Sequence, residues 1–130
     1  KRLAVADDSV DVEMETDPAV LGRVVGNMVR NAMEAGLPGE TVLVGCRLEE
    51  IGVAFWVHNS VQMSESVRNR VFNRFFSTKG RGRGLGAYAM KYLAEKYLMG
   101  TVEFTSTGDG TTFVARFPRE FPKKVDVGGT

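Results

Sequence analysis

Residues 17–57 read DPAVLGRVVGNMVRNAMEAGLPGETVLVGCRLEEIGVAFWV. Asp17-Pro18 is an N-cap followed by a first-turn proline, the order that starts a helix. Val20, Leu21, Val24, Val25, Met28, Val29, Ala32 and Met33 then recur at helical spacing, so a helix is predicted to about Ala35. Gly36 and Pro38 stop it. The period then changes. Thr41–Leu48 reads as a strand, 49–52 as a turn and Val53–Val57 as a second strand.

Upstream, Leu3–Ala6 and Val10–Met14 flank Asp7-Asp8-Ser9 and predict two short strands. Downstream, Ser64 caps a short helix from Glu65 to about Phe72, and a further helix runs to about Leu98, stopped by Gly100. Thr101–Thr107 and Thr111–Phe117 form a hairpin around Gly108-Asp109-Gly110. The order β-β-α-β-β-α-α-β-β predicts an α+β fold. It is a two-layer α/β sandwich, a mixed and mostly antiparallel sheet with about three helices on one face. One domain over 1–118 and a frayed tail over 119–130 are expected.

With 130 residues, 43% hydrophobic and 25% charged, the chain is an ordinary globular sequence large enough for one core. Its net charge of +1 argues against a general nucleic-acid or membrane surface. The single cysteine, Cys46, excludes an internal disulfide and fits a reducing compartment. In its apolar strand it is expected to be a buried, inert thiol. No signal peptide or membrane span is visible, and the start without methionine suggests a piece of something longer.

The strongest chemical signal is Phe75-Phe76-Ser77-Thr78-Lys79-Gly80-Arg81-Gly82-Arg83-Gly84-Leu85-Gly86, which runs directly into a helix. Glycines opening a helix expose backbone N–H groups at the positive end of its dipole, an anion site. Lys79, Arg81 and Arg83 add positive charge. A polyphosphate is the expected ligand. On the first helix, Asn27, Asn31 and Glu34 share one face. They form either a solvated face or a polar stripe looking into a cleft. In a cleft, an amide oxygen is a ligand for Mg²⁺, which keeps waters and substrate phosphates as its other ligands.

Three stretches together carry a family resemblance. Asn27-Met28-Val29-Arg30-Asn31-Ala32-Met33-Glu34-Ala35 resembles the asparagine box of the GHKL superfamily, as it occurs in sensor histidine kinases. Arg70–Lys79 resembles the phenylalanine box, and Gly82-Arg83-Gly84-Leu85-Gly86 the second glycine box. The three stand in family order within Asp17–Pro118.

The resemblance implies the ATP-binding, Bergerat-type catalytic domain of a sensor histidine kinase, with ATP and Mg²⁺ as cofactors. Asn31 would be the Mg²⁺ ligand. Asn27 stands where hydrolysing branches carry a glutamate base; an amide cannot take that proton, which favours transfer over hydrolysis. Gly82, Gly84, Leu85 and Gly86 would cradle the phosphates. Ser77 and Thr78 would donate hydroxyls, and Lys79, Arg81 and Arg83 would neutralise the phosphate tail. Lys79 joins Asn27 and Asn31 in the expected catalytic set. The implied partners are a dimerisation and phosphoacceptor domain of the same protein and a response regulator, with no nucleic acid and no direct membrane contact. The implied location is cytoplasmic, including the cytoplasmic part of a membrane-bound sensor. Two alternatives share the fold: a degenerate docking module and an anti-sigma-type serine kinase.

The first glycine box departs from the family. Where Asp-x-Gly-x-Gly is the pattern, this chain has Val57-His58-Asn59-Ser60-Val61-Gln62-Met63. Strand alternation selects Asn59 for the aspartate position, the residue that faces adenine; ungapped counting back from Met63 selects His58. A neutral amide there forfeits charge assistance, on the order of 1 kcal/mol. His58 reads as a phosphoacceptor, a purine contact or a strand-end residue without chemistry. Phe72 is expected in the core, with Phe75 and Phe76 anchoring the lid or docking on a partner. Tyr88, Tyr92 and Tyr97 are expected to pack in the core or on the surface.

Overall fold

The computed structural model describes residues 2–10, 14–50, 52–72 and 85–119. The elements are β1 (Arg2–Val5), α1 (Pro18–Ala35), β2 (Thr41–Glu49), β3 (Gly52–Asn59), α2 (Glu65–Arg70), α3 (Leu85–Tyr97), β4 (Thr101–Thr107) and β5 (Gly110–Pro118). They form one sheet in the order β1-β2-β3-β5-β4. Three pairings are antiparallel, and β1 runs parallel to β2. A parallel pair needs a long crossover, and α1 supplies it.

The local signals act as their chemistry dictates. Asp17 accepts hydrogen bonds from the Ala19 and Val20 N–H groups at 3.0 and 3.2 Å, with Pro18 inside the first turn. Gly36 closes α1 by donating its N–H to the Ala32 carbonyl. Ser64 caps α2 by accepting from Val67 N–H. The β4–β5 turn closes with Gly108-Asp109 between the paired residues Thr107 and Gly110. Gly110 has φ +119°, and a Cβ there would lie 2.1 Å from the Asn59 carbonyl oxygen. Only glycine suits that position.

The expected strand Val10–Met14 falls mostly outside the described residues; Val10 and Met14, the two of its residues described, belong to no strand. Both flanks of the Asp7-Asp8 turn bond to β2. Ala6 N–H donates to the Val44 carbonyl and Val10 N–H to the Cys46 carbonyl, while the Ser9 hydroxyl accepts from Cys46 N–H. The long neighbouring strand offers more backbone partners than a two-stranded ribbon.

The core lies between the sheet and the α1–α3 pair. Val24, Met28 and Ala32 of α1 and Met90, Leu93, Ala94 and Leu98 from α3 and its end meet Val42, Val57, Val102, Phe113, Ala115 and Phe117 of the sheet. Phe72, just past α2, packs edge-on against Phe104 and Phe113, with centroids 5.6 and 6.1 Å apart, and Lys91 of α3 lies over its ring at 5.2 Å. The expected core role of Phe72 therefore holds. Tyr88 stacks on Tyr92, and Tyr92 meets Tyr97 edge-on, along α3. Tyr92 and Tyr97 are exposed.

The opposite sheet face carries a group of ion pairs. Arg116 reaches Glu49 at 3.0 Å and also pairs with Glu103, while Arg47 holds the other Glu49 oxygen at 3.1 Å. The Trp56 indole covers Gly45, where a Cβ would come within 2.4 Å of the ring. Cys46 is half-buried, and burial raises its thiol pKa, which keeps it a weak nucleophile.

Candidate functional site

The α1 helix carries two of the expected polar residues with different surroundings. Asn27 Oδ1 accepts from Arg30 Nη1 at 3.3 Å, one turn along. The half-buried Asn31 carboxamide makes no hydrogen bond among the described residues. Its oxygen is a free hard donor, the type Mg²⁺ accepts, and the chemistry of this position fits that ion. Glu34 is exposed on the same helix.

Asn59 ends β3 on the helix-facing side and is 4% exposed. Its Nδ2 donates to the Ala32 carbonyl at 3.0 Å, and its Oδ1 accepts from Val61 N–H at 3.1 Å. A carbonyl only accepts and an N–H only donates, so the two contacts fix which way the amide points. His58 lies on the other sheet face, where its Nδ1 pairs with the Thr112 hydroxyl at 2.8 Å. The alternation that selected Asn59 thus places it against α1, one residue from Asn31, and turns His58 away from the helices.

The glycine-free stretch after Asn59 is held by side chains. The Glu40 carboxylate accepts from Leu37 N–H at 2.7 Å, from Ser60 N–H at 2.9 Å and from the Ser60 hydroxyl. Across the stretch, Thr111 donates to the Val61 carbonyl at 2.6 Å, and Met63 N–H donates to the Ser106 hydroxyl at 2.7 Å. Ser106 and Thr111 hydroxyls are 2.8 Å apart. Thr111 has spent its one proton on Val61, so Ser106 is the donor in that pair. Nothing in the sequence announced the clamps on Ser60, Val61 and Met63, because their partners lie 20, 50 and 43 positions away.

Leu85 and Gly86 open α3. Ser77, Thr78, Lys79, Arg81, Gly82, Arg83 and Gly84 lie outside the described residues, as do Phe75 and Phe76. Among the described residues, no group of three His, Cys, Asp or Glu side chains is placed to hold a metal. No described helix is long and apolar enough to cross a membrane.

The Ser60 hydroxyl bond is the main cause holding the Glu40 carboxyl below the usual glutamate range. For Glu49, burial pushes upward, but the Arg47 hydrogen bond and the Arg116 charge outweigh it, and the net direction is down. A depressed folded pKa contributes stability that is complete above the unfolded value, about 4.3, and is lost as pH falls through the folded value. Urea midpoints taken from pH 7 to pH 3 should therefore fall on the acid side. Glu40→Gln combined with Glu49→Gln should flatten that fall; an acid limb of undiminished steepness would rule out these two carboxylates as its source.

Residues 16–120 match the family of histidine kinase-, DNA gyrase B-, and HSP90-like ATPases. The chain belongs to this family. Within it, the chain is 32% identical over 109 residues to the sensor histidine kinase CusS of Escherichia coli strain K12, covering 78% of this chain and 22% of that protein. It is 33% identical over 102 residues to the C4-dicarboxylate transport sensor protein DctB of Rhizobium meliloti, covering 76% of this chain and 16% of that one. This member of the ATPase family therefore spans about a quarter or less of the curated relatives it matches. In three dimensions it is similar to the catalytic domain of histidine kinase ThkA, with TM-score 0.82 at 25% identity over 95% of this chain and 82% of that one. The same fold occurs in full-length ShkA, solved with AMPPNP, at TM-score 0.77 and 24% identity over 90% of this chain and 25% of that chain. The expected α/β sandwich is thus the fold of histidine kinase catalytic domains.

Proposed function

We propose that this ATPase-family chain is the catalytic domain of a sensor histidine kinase, spanning residues 1–118 with a tail over 119–130. It binds Mg–ATP and passes the γ-phosphoryl group to a histidine nitrogen on a dimerisation domain, leaving ADP. A response regulator takes the phosphoryl group onward, and the work is done in the cytoplasm. The observation that carries the proposal is the Asn59–Ala32 hydrogen bond. It brings Asn59, which this reading assigns to the base, against the helix that bears Asn27 and Asn31.

In this assignment Asn31 offers its free amide oxygen to Mg²⁺, which neutralises phosphate charge when bound. Asn27, already accepting from Arg30, is no base for water. Leu85 and Gly86 present N–H groups at the start of α3. Ser77, Thr78, Lys79, Arg81, Gly82, Arg83 and Gly84 complete the phosphate side. Asn59, rather than His58, meets the base, because His58 sits on the far sheet face.

Calorimetric titration with ATP and ADP in Mg²⁺ tests the proposal. Saturable binding below millimolar nucleotide is expected, and none at millimolar concentration would overturn it. Asn31→Ala should weaken ATP binding in Mg²⁺ by about tenfold or more and leave the remaining affinity indifferent to chelation. A variant with the wild-type Mg²⁺ dependence would remove Asn31 from the metal.

A further inference from the structure

We infer that Glu40 is a positioning residue for the nucleotide base, doing with side-chain clamps what the family's glycine box does with backbone freedom. The inference rests on the nucleotide reading above. The stretch Ser60–Met63 follows the base-facing Asn59 directly and contains no glycine. A chain without glycine has fewer backbone conformations to choose from and needs its amides satisfied where it stands. Of its four N–H groups, three go to side chains: Ser60 to Glu40, Val61 to Asn59 and Met63 to Ser106.

Glu40 is the only charged group among these clamps. It also reaches across elements, from the turn after α1 to the residue after β3. With one oxygen it accepts from Leu37 in its own turn, and with the other it holds both the N–H and the hydroxyl of Ser60. Its own backbone carbonyl accepts from Arg2 N–H, which anchors the turn to β1. Bonds to an ionised acceptor are about twice as strong as neutral ones. Asn59 is thus fixed from below by Ala32 and from its next residue by Glu40. Both anchors belong to α1 or the turn that leaves it, so the base side and the Asn31 side move as one unit. Thr111 and Ser106 hold the far end of the stretch from the β4–β5 hairpin.

Glu40→Gln tests this in the whole chain. A glutamine keeps the length but turns one acceptor oxygen into a donor, which cannot accept from an N–H. Two measurements are read together. Amide hydrogen exchange without nucleotide should accelerate about tenfold or more at Ser60 and Val61 and clearly less at Val57 and Phe113. The ATP dissociation constant should rise about five- to tenfold, while the fold-change on chelating Mg²⁺ stays at the wild-type value. Thr111→Val, which preserves volume, should accelerate exchange at Met63 with the same local pattern. Unchanged exchange at Ser60, exchange that rises equally in the core strands, or unchanged ATP affinity beside faster local exchange would each overturn the inference. Failure of the wild-type chain to bind ATP would instead sink the nucleotide reading, and the exchange arm would still report whether Glu40 holds the stretch.

Discussion

Asn59→Asp, the change that restores the family's own residue, is expected to destabilise this chain by about 2–4 kcal/mol at pH 7. The Asn59 Nδ2 donates to the Ala32 carbonyl in a site that is 4% exposed. An aspartate would replace that donor by a second oxygen facing a carbonyl, and would bury its charge. Protonation relieves both problems, so the folded-state pKa of the new carboxyl is raised. The penalty is then absent below the unfolded value of about 3.9 and complete only above the raised folded value. Urea denaturation of variant and wild type at each pH measures the difference, with Asn59→Ala as the neutral control. A gap that stays below about 0.5 kcal/mol at pH 7 would show that the Ala32 bond carries no weight.

Phe113→Ala is expected to cost about 3–5 kcal/mol, a large share of a small domain's total of about 5–15. The ring is 5% exposed and touches Phe104 at 5.4 Å and Phe72 at 6.1 Å between centroids. Its loss empties the space under Phe72, which seats the end of α2 and leads into the glycine segment. Phe113→Leu should recover more than half of the loss, since it refills most of the volume. Denaturant midpoints of the two variants make the comparison. An alanine variant within about 1 kcal/mol of wild type would mean that the cavity collapses and that Phe72 needs no such support.

These two sites mark where sequence patterns sufficed and where they stopped. The strand that carries Phe113 was legible as the second arm of the hairpin, while its alternate burial, with Phe113, Ala115 and Phe117 inside, comes from the structure. Asn59 was half legible. Alternation set its face, but the amide's two backbone partners come from α1 and from Val61, and only packing brings Ala32 to it. The absence of glycine after Asn59 looked like a loss. In three dimensions the same stretch is braced by Glu40, Ser106 and Thr111, none of which belongs to a motif.

The sequence by itself determined the helices, their caps, the strand faces, the hairpin turn and the order of the three boxes. Each of these is decided by residues a few positions apart, through periodicity, capping and turn chemistry. Only the tertiary structure decided that β1 lies parallel to β2, and that the Asn59 amide is held between the Ala32 carbonyl and the Val61 N–H. It also decided that Glu40 closes on Ser60. Those outcomes depend on which distant backbone groups remain unpaired once the core has closed, and no local pattern of side chains encodes that.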